Sequence, residues 1–216
     1  MSRIIPVGAC MCLLIVVLAF CGCTGMPGYN TSPTESPTPS VTQTEIPTMT
    51  ATPTPAYQDA EFLLVYQTSR PRITDLSGKE DVALAKIQSV SVVPSTWSAL
   101  SSKSQDLLNA ITNDTRNLSA YSNFQDPANK KIQSSYLDFL ANMKEVATDL
   151  RDGAQSAANG DFESALTSFE AAQSGLNAIT YTPGNDQKAV LEEMKIHLRQ
   201  VISVVNQKIA NQGAAS

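Results

Sequence analysis

The side chains able to do chemistry in this chain are few and unevenly placed. All four cysteines, Cys10, Cys12, Cys21 and Cys23, fall within the first 23 residues. Everything after them lacks a thiol for nucleophilic, redox or metal chemistry, so cysteine bears only on the N-terminus. There Gly22 precedes Cys23: a small residue lets a signal peptidase approach, and the Cys23 thiol can then take a lipid. Cys21 is the weaker attachment point because bulky Phe20 precedes it. His197 is the only histidine, so any imidazole chemistry falls to it alone. Glu193 lies four residues earlier on the same helical side, whereas carboxylate-bridged metal bundles use Glu-x-x-His at a spacing of three, twice over. The pair is therefore read as a plain surface or flanking pair at helical spacing. Glu192 and Glu193 project about 100° apart on a helix and cannot face each other as an acid/base couple. Asp149 and Asp152, with Arg151 and Lys144 nearby, read as a solvated charged face. There is no glycine-rich phosphate loop, no Gly-x-Ser-x-Gly elbow and no serine marked as a partner for His197. The expectation is a protein that is not an enzyme, with no catalytic residues, metal ligands or cofactor.

Three Asn-x-Ser/Thr triplets make Asn30, Asn113 and Asn117 candidate N-glycosylation acceptors. Trp97, Tyr121, Phe124 and Tyr136 could line a pocket for an apolar ligand, but those at helical spacing are expected to pack as core.

The element that would present Cys23 is the apolar run before it. Arg3 is followed by 19 uncharged residues from Ile4 to Gly22, a positive n-region and an apolar h-region as in a signal peptide. A run of 19 also approaches the ~20 residues that cross a bilayer, so the alternatives to a lipid anchor are an uncleaved helix and, last, a freely secreted product. The lipid anchor and the uncleaved helix both place Arg3 on the cytoplasmic side and the rest outside. A lipid anchor needs two chains to hold stably, which diacylglyceryl modification at Cys23 would provide.

Residues 24–56 hold ten Thr, seven Pro and three Ser. Such a segment cannot build a core and is expected to sample extended polyproline II, reaching on the order of 100 Å at most. It reads as a disordered linker, either O-glycosylated or bare.

Phe20 to Cys23 resembles the prokaryotic lipobox, with Phe20 where Leu is usual and Cys21 where Ala or Ser is usual. Together with the Thr/Pro/Ser repeats and an acidic helical domain, it looks like the predicted envelope lipoproteins of methanogenic archaea. The resemblance covers the first 56 residues and implies a place at the cell surface but no activity. The folded domain carries no family resemblance of its own.

Roughly 155 residues remain for folding, enough to bury roughly 68–70% of the unfolded surface without metal or disulfide. From Cys23 onward 14 basic residues face 20 acidic ones, a balance that argues against nucleic-acid binding. Pro71, Pro94, Pro127 and Pro183 stand where the apolar pattern restarts and read as helix boundaries. Asp126-Pro127 reads as an N-cap with proline at the first helical position, Ser77 with Glu80 as a capping box, and Asn159-Gly160-Asp161 as a helix stop followed by a cap.

Apolar residues recur at steps of three and four over 95–121, 128–158, 161–180 and 186–210. Ser104 and Thr115 sit in the first of these stripes, either buried with backbone bonds or bordering a small cavity. Short loops between four amphipathic helices predict an all-α antiparallel, coiled-coil-like bundle. Between 57 and 93 the pattern is weaker: Phe62, Leu63 and Tyr66 suggest one short helix, Ala83, Ile87 and Val90 another, and Ser89–Val93 alternates like a strand. Gly153, Gly160, Asp161, Phe162, Ala165, Phe169 and Ala172 have the spacing of a tetratricopeptide-type hairpin, but there is no second copy, and the stretch reads as an ordinary helical hairpin.

The organisation expected is a signal or anchor at 1–22, a linker at 23–56 and a helical bundle at 57–212. The functional expectation is an exported protein held at the outer face of the cytoplasmic membrane by an N-terminal lipid or helix. It would display a non-catalytic interaction module for an envelope-protein partner. The alternative is an extracellular bundle that binds a small ligand for sensing or solute capture.

Overall fold

Proline and glycine punctuate the folded part of the chain, and in the computed structural model, which describes residues 56–214, most helix ends stand at them. Cys21, Cys23, Asn30 and nearly all of the Thr/Pro-rich segment lie outside the described residues. The described residues all belong to one of the two units into which the chain divides, Thr52–Ser216. They form five helices: α1 Asp59–Leu84, α2 Pro94–Ser119, α3 Pro127–Ala158, α4 Phe162–Ala178 and α5 Asn185–Gly213. Among the described residues there is no strand, and no helix is long and apolar enough to cross a membrane.

The local signals act as their chemistry requires. Pro94 and Pro127 open α2 and α3, where a missing N–H removes no intrahelical bond. The Asp126 carboxylate accepts from the Ala128 amide at 2.8 Å. At the end of α3, Gly160 takes φ +83°, the left-handed conformation that side chains resist. The Asp161 amide then bonds Ser156 O at 3.0 Å and the Gly160 amide bonds Ala157 O at 3.1 Å. This double closure satisfies the last carbonyls of α3. Asp161 caps α4 by accepting from the Ser164 amide at 3.1 Å, and those bonds hold its carboxyl below the usual range.

The N-terminal third departs from expectation. The two short helices anticipated before residue 93 are one helix of 26 residues, and the Ser77/Glu80 capping box lies inside it rather than at a helix start. Pro71 is internal to α1, not a boundary. It sits on the exposed side, where losing one backbone bond to Gln67 is tolerable because water replaces the missing donor. Residues 89–93 are a turn, with the Val92 amide bonded to Ser89 O at 3.2 Å. The buried residues of α1 are Phe62, Ser69, Ile73, Ser77, Glu80, Ala83 and Leu84, which lie along one helical face. Three of its seven positions are polar, and those broke the apolar stripe in the sequence.

Each helix packs on the next, and α5 returns to α1, closing the ring. Neighbours in sequence run antiparallel. An added Cβ on Gly153 of α3 would meet the Phe169 ring of α4 at 2.9 Å, while one on Gly175 of α4 would meet Val146 of α3 at 2.9 Å. The contacts of α5 with α1 advance in the same direction along both, from Thr74–Gln187 to Asp81–His197, so these two helices are parallel. At one end an aromatic group, Phe62, Tyr66, Tyr121, Phe124 and Tyr136, stacks edge-to-face around α1. Further along, Trp97 of α2 stacks on Phe169 of α4 at 5.9 Å. Trp97 and Tyr136 are fully buried core, and Tyr121 and Phe124 pack against that core.

Candidate interaction surface

The start of α1 is tied down by polar side chains. Gln58 Oε1 accepts from the Ser122 and Asn123 amides at 3.0 and 3.2 Å. The Asp59 carboxylate accepts from the Gln125 amide at 2.8 Å and from Asn129 Nδ2 at 2.7 Å. Three of these donors, the Ser122, Asn123 and Gln125 amides, belong to the α2–α3 loop and the fourth, Asn129, to the first turn of α3, so together they clamp the α1 entry to that corner.

Beyond that point α1 is held through buried polar groups on both flanks. Toward α2 and α3, the Ser69 hydroxyl donates to Asp114 Oδ2 at 2.5 Å, which leaves Tyr136 to donate to Ser69 Oγ at 2.8 Å. Burial pushes the Tyr136 phenol up to about 12, so it remains a donor at any physiological pH. Arg72 of α1 pairs with the other oxygen of Asp114. Asp114 is 1% exposed and Arg72 47%, so the pair reaches from solvent into the core. Toward α5, Gln187 accepts from Thr74 Oγ1 at 2.8 Å and donates to Ser77 Oγ at 3.5 Å.

His197 faces α1. Its Nδ1 lies 2.7 Å from Asp81 Oδ1, so it does not form the flanking pair with Glu193 that its spacing suggested. The interhelical partner wins because α5 turns that edge toward α1, while Glu193 stays exposed. Glu192 pairs with Lys195 at 2.8 Å. Asp152 pairs with Arg151 at 2.7 Å, whereas partial burial, Asp152 and Glu145 push the Asp149 carboxyl up. Ser104 is buried and donates to Leu100 O at 3.2 Å. Thr115 is exposed and is not in the seam; Asp114 occupies the buried position instead. Asn113 and Asn117 are both exposed on α2. No cluster of three or more His, Cys, Asp or Glu side chains able to hold a metal occurs among the described residues.

Sequence reasoning passed over a groove between α1 and α2. Its floor is Gly78, Val82 and Ala83 of α1 with Ala99 of α2, and its volume is about 390 Å³. Small residues on both helices leave the space: a Cβ on Gly78 would meet nothing within 4 Å. Val82 remains 56% exposed, an aliphatic side chain left without a neighbour to cover it. Lys79, Lys86 and Lys103 line the same groove. Lys79 is paired with Asp75 at 2.7 Å and Lys103 with Asp106 at 3.3 Å, whereas Lys86 has no ion pair among the described residues. The signal available in the sequence was Gly78 and Val82 four residues apart with Lys79 and Lys86 beside them, but which helices face each other was not readable there.

Comparison with protein-family models, curated proteins and solved structures found no match to this chain.

Proposed function

We propose that this chain is a surface lipoprotein, exported and anchored at the outer face of the cytoplasmic membrane through Cys23, whose helical domain is a non-catalytic interaction module. Its docking face is the α1–α2 groove. The occupant is a segment of another envelope protein that places apolar side chains on Val82 and Ala83 and carboxylates against Lys79, Lys86 and Lys103. The observation that carries this reading is the concurrence of an uncovered apolar floor with a lysine rim on a chain of net charge −5. The groove offers uncovered aliphatic surface, and although Asp75 also lines it and pairs with Lys79, the rim lysine Lys86 has no ion pair among the described residues and favours an acidic partner.

The test is crosslinking and recovery from gently solubilised native membranes, comparing wild type with the K79E/K86E/K103E variant. A partner captured by wild type and lost in the folded charge-reversed variant supports the groove. Recovery of the protein alone, or of the same partner by both forms, overturns it.

A further inference from the structure

We infer that Glu80 makes the seating of α1 depend on a proton: the domain folds around a neutral carboxylic acid, and raising the pH works against the packing of α1 in the bundle. Glu80 is completely buried, and neither of its carboxyl oxygens has a hydrogen-bond partner. It occupies a seam position of α1 between Ser77 and Leu84, where an apolar residue would normally sit. From α2 its polar neighbour is Ser104, whose hydroxyl proton is already given to Leu100 O. That hydroxyl favours the ionised form of Glu80, but by less than complete burial disfavours it. No lysine or arginine among the described residues is paired with Glu80.

The charged group acting on it from its own helix is Asp81, a like charge that disfavours ionisation. From α5, His197 is engaged with Asp81. Lys79 and Lys103 line the groove outside, where they pair with Asp75 and Asp106. An ionised carboxylate in this position would be a buried charge without a counter-ion, among the costliest arrangements a core can hold. Desolvation, opposed in part by the Ser104 hydroxyl and reinforced by the like charge of Asp81, raises the Glu80 carboxyl from its ordinary 4.5 to about 7.

The direction follows from linkage. Between these two values the unfolded chain is ionised at this position while the folded chain keeps its proton. The folded state therefore binds more protons, and stability falls as pH rises. The contribution is intact below about pH 4.5 and gone by about pH 7, the reverse of a paired surface carboxylate. Placing an ionisable group at a core position of α1 thus makes that helix the pH-sensitive element of the bundle.

The experiment is urea unfolding of wild type and Glu80→Gln between pH 4.5 and 8, followed by the fluorescence of Trp97, the single tryptophan. The ratio of the two unfolding constants cancels the carboxylates common to both. It is expected to change by about tenfold per pH unit, on the order of 100-fold across the range. A flat ratio overturns the inference, as does a slope that survives in Glu80→Gln and disappears in His197→Gln, which would assign it to the Asp81–His197 pair. Should Glu80→Gln not fold, the carboxyl carbon shift of Glu80 followed by NMR in wild type decides the matter. Titration above pH 6 supports it, and titration near 4.5 sinks it.

Discussion

At the residue scale, most of the chemistry in this domain serves to hold α1. Asp114 is the clearest case, because its two oxygens receive Ser69 and Arg72, and through Ser69 it orients Tyr136. Replacing either charged member has unequal consequences. Asp114→Ala leaves Arg72 free to return to water and orphans only the Ser69 hydroxyl, so its cost is about 2 kcal/mol. Arg72→Ala strands a charge in the core and costs about 3 kcal/mol or more. The half-exposed residue is therefore expected to be the more damaging one to remove. A double-mutant cycle in urea should show the combined loss to be smaller than the sum; strict additivity would mean that the pair is not coupled. None of this was legible beforehand. Asp114 lies inside the triplet Asn113-Asp114-Thr115, whose apparent interest was the asparagine, and a charged residue is normally placed outside.

At the element scale, local signals located α2 to α5 because each of those helices announces itself through bonds within a few residues of its ends. Pro94, Asp126-Pro127 and Gly160-Asp161 act through their own backbone, so no distant contact can override them cheaply. The α3–α4 hairpin adds a close approach that the small residues foreshadowed. The Phe169 ring lies where a Gly153 side chain would have to go. Gly153→Leu should therefore cost about 2 kcal/mol or more by forcing that ring from its site, against a helix-propensity gain of about 1 kcal/mol. A thermal melt in which Gly153→Leu matched or exceeded wild type would show that the interface has slack. Helix α1 resisted reading for the opposite reason. Its seam holds Ser69, Ser77 and Glu80, and what makes those positions core is the arrival of Asp114, Gln187 and Ser104 from helices 24 or more residues away.

At the scale of the whole molecule, anchoring and folding are separate questions. Export and lipidation are expectations from the first 23 residues, and intact mass after purification from native membranes tests them. A chain beginning at Cys23 with a lipid-sized increment is the expected result. A chain retaining Met1 or Ser2 would make it a single-pass anchor, and a water-soluble chain without lipid would remove the anchor altogether. A further mass excess would report glycans on the Thr/Pro-rich segment or at Asn113 and Asn117, both of which are exposed. By itself the sequence determined that the chain has an all-α domain, where four of its helices lie and how the α3–α4 turn closes. Those features rest on backbone dihedrals and on apolar spacing within single helices. Only the tertiary structure decided that the described residues form five helices in a closed ring, that α1 runs through Pro71, and that His197 meets Asp81. It alone also showed a lysine-rimmed groove open between α1 and α2 and a core that encloses an unpartnered glutamate. These depend on which faces meet in space, and a buried polar residue looks the same in sequence as an exposed one until its neighbours arrive.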